Sequence, residues 1–255
     1  MFVGGRIGVP GRAAILAPAT GIITANRQVW LAKGGAAGAT WTDSSGNGRN
    51  MTLVGTPTIG ASSVTFNGTT QYGTIATSGV TTTCSIYLRL KQVAWAANAR
   101  IISGTTPRLI QSASTPNIAL IDIDATPYAT NGNAAVGAFV SLGFVQGGGN
   151  SVININGTEV SDISANNSWG VFSLAATSAG ASPSNIEVVE VIAYNVAHNG
   201  SERAQMIAYL GTLSVRLIQP FLLPMRSLNQ RRFVSSLRRL SQSLKRSNPA
   251  SRQRL

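Results

Sequence analysis

WTDSSGNGRNMTLVGTPTIGASSVTFNGTTQY, residues 41–72, is the stretch whose reading decides the fold. It opens on a turn-rich patch, Asp43-Ser44-Ser45-Gly46-Asn47-Gly48. A short strand from Met51 to Val54 follows, and Thr56-Pro57 breaks it. A second strand, Val64-Thr65-Phe66, runs into Asn67-Gly68, a pair that tolerates the positive φ of a tight turn. The next strand starts at Gln71-Tyr72. Short strands separated by turn clusters predict an antiparallel all-β protein.

The same rhythm continues to residue 195. Strands are predicted at 64–66, 72–76, 84–91, 99–103, 108–112, 117–123, 138–145, 151–155, 159–163, 171–174 and 186–195. Ser201 to Leu210 predicts one short helix, with Ser201 as N-cap, Glu202 at its positive end and Gly211 as its stop.

Three stretches in this order carry a resemblance. The first is D-S-S-G-N-G, T-L and V-T-F-N-G-T-T-Q-Y within residues 43–72. The second is Ser151 to Val160, a strand, Asn156-Gly157, strand hairpin. The third is the last strand, Ile186 to Asn195, with the helix after it. Together they resemble the laminin-G-like, concanavalin A-like jelly-roll domains over about residues 40–212. The resemblance implies an antiparallel two-sheet jelly-roll sandwich. Two departures stand out: the tryptophan often found before the third-quarter strand is replaced nearest by Phe139, and the acidic pair before the last strand is not matched cleanly. Domains of this family are carried on phage capsids and tails, so the resemblance also implies a virion component, and its lectin members imply glycan binding.

Charge divides the chain. Residues 1–215 hold ten basic and eight acidic side chains, whereas residues 216–255 hold ten basic and no acidic ones. The net charge of +12 is therefore mainly a property of the tail. Charged residues make up only 11% of the chain, and Gly, Ser, Thr, Asn and Ala fill the surface, as suits a subunit packed in an assembly. The divisions expected are an N-terminal arm (1–40), a β-sandwich (41–212), an apolar linker with Pro220 and Pro224 (213–225) and a basic tail (226–255). No apolar run reaches the roughly 20 residues of a membrane-spanning helix, and Ala13–Ala17 is too short for a signal peptide. The Asn-x-Ser/Thr matches at Asn67, Asn156, Asn166 and Asn199 read as turn chemistry.

The tail carries an internal repeat. Basic pairs recur every seven residues: Arg231-Arg232, Arg238-Arg239 and Lys245-Arg246. Phe233, Leu237, Leu240 and Leu244 fall on one stripe of a helix, with the six basic residues opposite. This predicts a basic amphipathic helix, ended near Pro249. It fits a partner's groove, an anionic membrane surface or the phosphates of nucleic acid. Without interleaved aromatics, nucleic-acid contact would be non-specific.

Catalytic and metal chemistry find little. One cysteine and one histidine exclude the usual structural zinc sites and any internal disulfide. Cys84 reads as a small buried strand residue and His198 as a surface loop residue. In a regular strand Glu187 and Glu190 point to opposite faces and cannot flank one glycosidic bond; only a bulge between them would bring them together. Asp122 and Asp124 share a strand face, which suits Ca²⁺, sugar hydroxyls or a plain solvated face. Trp95 suits sugar stacking or an edge position in the core. The expectation is a non-enzymatic structural subunit of a virus particle that contacts other virion subunits in a multi-copy assembly. The alternative is a glycan-binding, receptor-recognising module.

Overall fold

The computed structural model describes residues 21–121, 127–163 and 167–213. Among them sixteen strands and one helix form a single antiparallel sheet system with one helix on its outside. The strands are β1 (Arg27–Ala37), β2 (Thr40–Asp43), β3 (Met51–Val54), β4 (Thr58–Ile59), β5 (Val64–Asn67) and β6 (Tyr72–Ile75). Then come β7 (Cys84–Gln92), β8 (Arg100–Ser103), β9 (Arg108–Gln111), β10 (Ile118–Ile121) and β11 (Pro127–Asn131). The chain continues through β12 (Phe139–Gly147), β13 (Asn150–Ile155), β14 (Thr158–Ile163), β15 (Phe172–Leu174) and β16 (Asn185–Tyr194) to helix α1 (Gly200–Thr212).

The sheet runs β11-β10-β9-β8-β15-β6-β3-β2-β1-β16-β7-β12-β13-β14, with β5 also on β16 and β4 on β5. The all-β antiparallel expectation holds, but the architecture is one continuous, nearly closed sheet. β1 joins what would otherwise be two sheets. Its first half pairs with β16 from Arg27 to Leu31, and its second half pairs with β2 at Ala36 and Ala37. The register shifts between Leu31 and Ala36, where Gly34 takes φ +74° beside the Ala61 carbonyl. A bent strand can serve two neighbours at different angles. The sheet therefore begins inside the segment read as an arm, and takes in residues 27–37 and Thr40 of it.

The two ends of the path meet. β11 lies against β13 and β14. Asn131 there is wholly buried, and its Nδ2 donates to the Ile153 carbonyl at 3.2 Å and the Thr158 carbonyl at 2.9 Å. One side-chain amide thus stands in for a rung of the ladder. The β13–β14 hairpin turns on Asn156 (φ 53°) and Gly157 (φ 94°), as Asn-Gly predicts. The Asn67-Gly68 turn also forms, with Asn67 Oδ1 accepting from the Thr69 and Thr70 amides. It does not make a hairpin, because β5 goes to β16 and β6 to β3 and β15.

The inner face is one apolar core that includes Trp41, Met51, Phe66, Leu88, Phe144, Trp169 and Phe172. Cys84 is buried in it as expected, and burial pushes its thiol pKa up. A second cluster lies on the outer face, where Met206, Ile207 and Leu210 of α1 cover Tyr87, Ile192 and Tyr194. Each such side chain contributes about 1.5–3 kcal/mol relative to exposure. The helix starts two residues earlier than its sequence signal. Asn199 is the N-cap, its Oδ1 accepting from the Ser201 and Glu202 amides while Glu202 accepts from the Asn199 amide. Ser201 is thus inside the helix, which continues past Gly211 to Thr212.

Candidate functional site

The residues singled out by sequence fare unequally. Asp122 and Asp124 lie outside the described residues, as do Arg231, Arg232, Phe233, Leu237, Arg238, Arg239, Leu240, Leu244, Lys245 and Arg246. Trp95 is partly buried against the core, and its Nε1 donates to the Ser112 carbonyl at 3.0 Å.

His198 is a correction. It is 2% exposed, not a surface loop residue. Its ring stacks on Tyr87 at 5.5 Å and tilts against Tyr194 at 4.5 Å, and Nδ1 lies 3.0 Å from the Tyr87 hydroxyl. Capping by Asn199 draws the first turn of α1, and the residue before it, onto the sheet. Burial lowers the imidazole pKa.

The glutamate pair is a second correction. Glu187 pairs with Lys91 and Glu190 with Arg89, two residues apart on β7, because Val189 is an extra residue in β16. This bulge puts both carboxyl groups on the same outer face. Both are nevertheless engaged. Glu187 pairs with Lys91 Nζ at 2.5 Å and accepts from Ser63 Oγ at 2.7 Å. Glu190, 2% exposed, accepts from Trp30 Nε1 at 2.8 Å, the Tyr209 hydroxyl at 2.7 Å and the Lys33 amide at 3.2 Å. They tie β16 to its neighbours and to α1 rather than facing an open cleft.

An arrangement that the sequence reading did not single out lies on the outer face of the other half of the sheet. Direct register partners form a transverse row: Thr40 with Thr52, Thr52 with Thr74, Thr74 with Ser173, Ser173 with Ser103, and Ser103 with Arg108. Their chain neighbours Met51, Leu53, Ile75, Phe172, Leu174, Ile102 and Leu109 fill the core, so alternation sends the hydroxyls to the outer face. Thr40 and Thr52 are exposed there, whereas Ser173 and Ser103 are buried, at 0% and 2% exposure. At its arginine end the row opens into a cleft of about 430 Å³. Arg100, Ser103 and Arg108 line it, with Gly104, Thr105 and Thr106 of the β8–β9 turn and Thr177 and Ser178 from the loop before β16.

The cleft is built on fixed supports. Gly104 sits against the buried Trp169 ring, where a Cβ would come within 2.9 Å of Cε3. Thr105 Oγ1 accepts from the Val171 amide at 3.3 Å. Thr177 Oγ1 accepts from the Ala181 amide at 2.9 Å. Arg100 Nη1 donates to Ser103 Oγ at 3.4 Å. Burial, and next the positive charge of Arg108, push the Arg100 pKa below the ordinary arginine range. The arrangement offers hydroxyl donors and acceptors beside two guanidinium groups. Its sequence trace is a lone hydroxyl between apolar or glycine neighbours in Met51-Thr52-Leu53, Gly73-Thr74-Ile75 and Phe172-Ser173-Leu174.

No family model and no curated protein matches the sequence. Solved structures do match the fold. Trypanosoma rangeli sialidase in complex with sialic acid matches with a TM-score of 0.61 at 12% identity, over 76% of this chain and 34% of that one. Domain 4 of AbnA, a GH43 extracellular arabinanase from Geobacillus stearothermophilus, in complex with arabinotriose, matches with a TM-score of 0.58 at 16% identity, over 71% of this chain and 98% of that one. The receptor-binding domain of botulinum neurotoxin C/D mosaic serotype gives 0.58 at 12% identity, over 74% and 52%. The chain thus spans about a third of the sialidase's length, about half of the toxin domain and nearly all of the arabinanase domain. At these identities the likeness is one of fold.

Proposed function

We propose that the sheet, of the concanavalin A-like jelly-roll type, is a non-catalytic glycan-binding module whose ligand lies in the cleft beside Arg100 and Arg108. The cleft carries this reading: the hydroxyls of Thr105, Thr106, Thr177 and Ser178 beside two guanidinium groups can donate to and accept from the hydroxyls of a sugar. The arabinotriose-bound arabinanase domain, nearly all of which the fold covers, supports it. The absence of catalysis is supported by the engagement of Glu187 and Glu190 described above, and by a cleft lining without a carboxyl group among the described residues.

Ser178 is exposed at the rim of the cleft. Ser178→Trp is expected to fill the cleft without disturbing the core. On a glycan array the native chain should bind saturably, and the variant should bind at least about ten-fold more weakly, the cost of losing one good set of polar contacts. Equal binding by both moves the site elsewhere, and binding of no glycan by the native chain ends the reading.

A second reading, that the module serves in a virus particle, rests on the uneven charge of the sequence. In it residues 213–255 anchor the chain to other virion subunits, or reach packaged nucleic acid, while residues 41–212 are displayed. A chain cut after Thr212 should keep its glycan binding and lose retention on candidate particles. Undiminished retention would remove the tail as anchor.

A further inference from the structure

We infer that the cleft selects an acidic polysaccharide, holding a carboxylate or sulfate between Arg100 and Arg108 while the sugar ring rests among the hydroxyls of Thr105, Thr106, Thr177 and Ser178. The inference builds on the glycan-binding reading and narrows it to a ligand class. Arg100 and Arg108 stand on adjacent strands and line one cleft. Among the described residues, ion pairs within 4.0 Å join Lys91 to Glu187 and Arg203 to Glu159. Arg27 instead lies over the Trp30 ring at 4.4 Å, and Arg89 over the Phe139 ring at 5.7 Å. Arg100 and Arg108 have neither kind of partner among the described residues, and both remain half-buried. Two like charges in a partly desolvated cleft repel each other, and an anion between them relieves that cost.

Geometry favours an oxyanion of planar or tetrahedral form. A guanidinium presents a rigid fork of N–H donors that two oxygens can meet at once. Arg100 is already oriented by the buried Ser103 Oγ. A neutral sugar meeting this site would leave both charges without counter-charge, which selects against it. Among the described residues the cleft lining includes no aromatic ring on which a nucleobase would stack, so the anion is expected on a sugar rather than on a nucleic acid.

The test uses the full chain and its Arg100→Gln/Arg108→Gln variant. The array carries uronate, sialate and sulfated oligosaccharides beside their methyl-esterified or desulfated forms, with single-stranded oligodeoxynucleotides as polyanion controls. In the native chain the acidic member of at least one pair should bind about ten-fold or more tightly than its neutral form. The double variant should lose that preference. The uronate and sulfate arms tell which oxyanion is held. Because the tail is itself cationic, a preference that persists in the double variant belongs to the tail and overturns the inference. Equal binding of acidic and neutral forms overturns it too and leaves the glycan reading standing. Binding of oligodeoxynucleotides alone, lost in the double variant, also overturns it. Binding of no glycan at all removes both. If the glutamine variant fails to fold, Arg100→Lys/Arg108→Lys keeps the charge and loses the fork, and should bind the acidic form several-fold more weakly.

Discussion

Glu190→Ala should destabilise the domain by about 3–5 kcal/mol, because one deletion takes a buried acceptor away from three partly buried donors. Trp30 Nε1, the Tyr209 hydroxyl and the Lys33 amide all end on this side chain. They come from β1, from α1 and from the bend in β1, so the loss loosens the helix and the bent strand together. Denaturant unfolding measures the stability, and amide exchange of α1 locates the loss. Glu190→Gln keeps one acceptor oxygen but turns an NH₂ group towards donors, and should fall between the alanine variant and the native chain. A cost below about 1 kcal/mol for the alanine variant would contradict the arrangement, being no more than one ordinary hydrogen bond.

Trp169→Ala should cost a similar amount, about 3–5 kcal/mol, by emptying a large buried site. Trp169 is wholly buried, its ring 5.3 Å from Phe144 and its Nε1 3.4 Å from Gln146 Oε1. It also backs Gly104 at the mouth of the cleft. Glycan binding should therefore fall at temperatures where the variant is still folded. Phe144→Ala separates the two effects. It removes a buried ring from the same core but not the support of Gly104, so it should lower the melting temperature comparably while binding survives. If both variants bind alike in the folded state, the cleft does not depend on Trp169.

The parts of the fold legible in the sequence were those set by local chemistry. β7, β12, β13 and β16 alternate or run apolar over several residues, and Asn156-Gly157 marks the hairpin between β13 and β14. Gln28–Leu31, the first half of β1, carries a strand signal; the second half escaped because Lys33-Gly34-Gly35 interrupts the alternation at the point where the strand bends. The Glu187-Val188-Val189-Glu190 stretch misled because a regular strand puts its carboxyl groups on opposite faces, and one extra residue reverses that. His198 reads as a polar turn; only the fold of α1 onto the sheet buries it. The hydroxyl row is a matter of register between strands far apart in the chain, β3 with β6, β6 with β15 and β15 with β8. Each strand contributes one unremarkable Ser or Thr, and no short-range pattern announces that they align.

The seam at Asn131 bears on crowding. An open sheet exposes unpaired backbone groups at both ends, and these template the addition of strands from another molecule. Here the two ends of the path face each other, β11 lying against β13 and β14. Away from that seam the path has a short side branch, ending in the two-residue β4. A chain so built can be held at high local density without neighbouring copies fusing edge to edge, which leaves mutual recognition to loops and terminal segments.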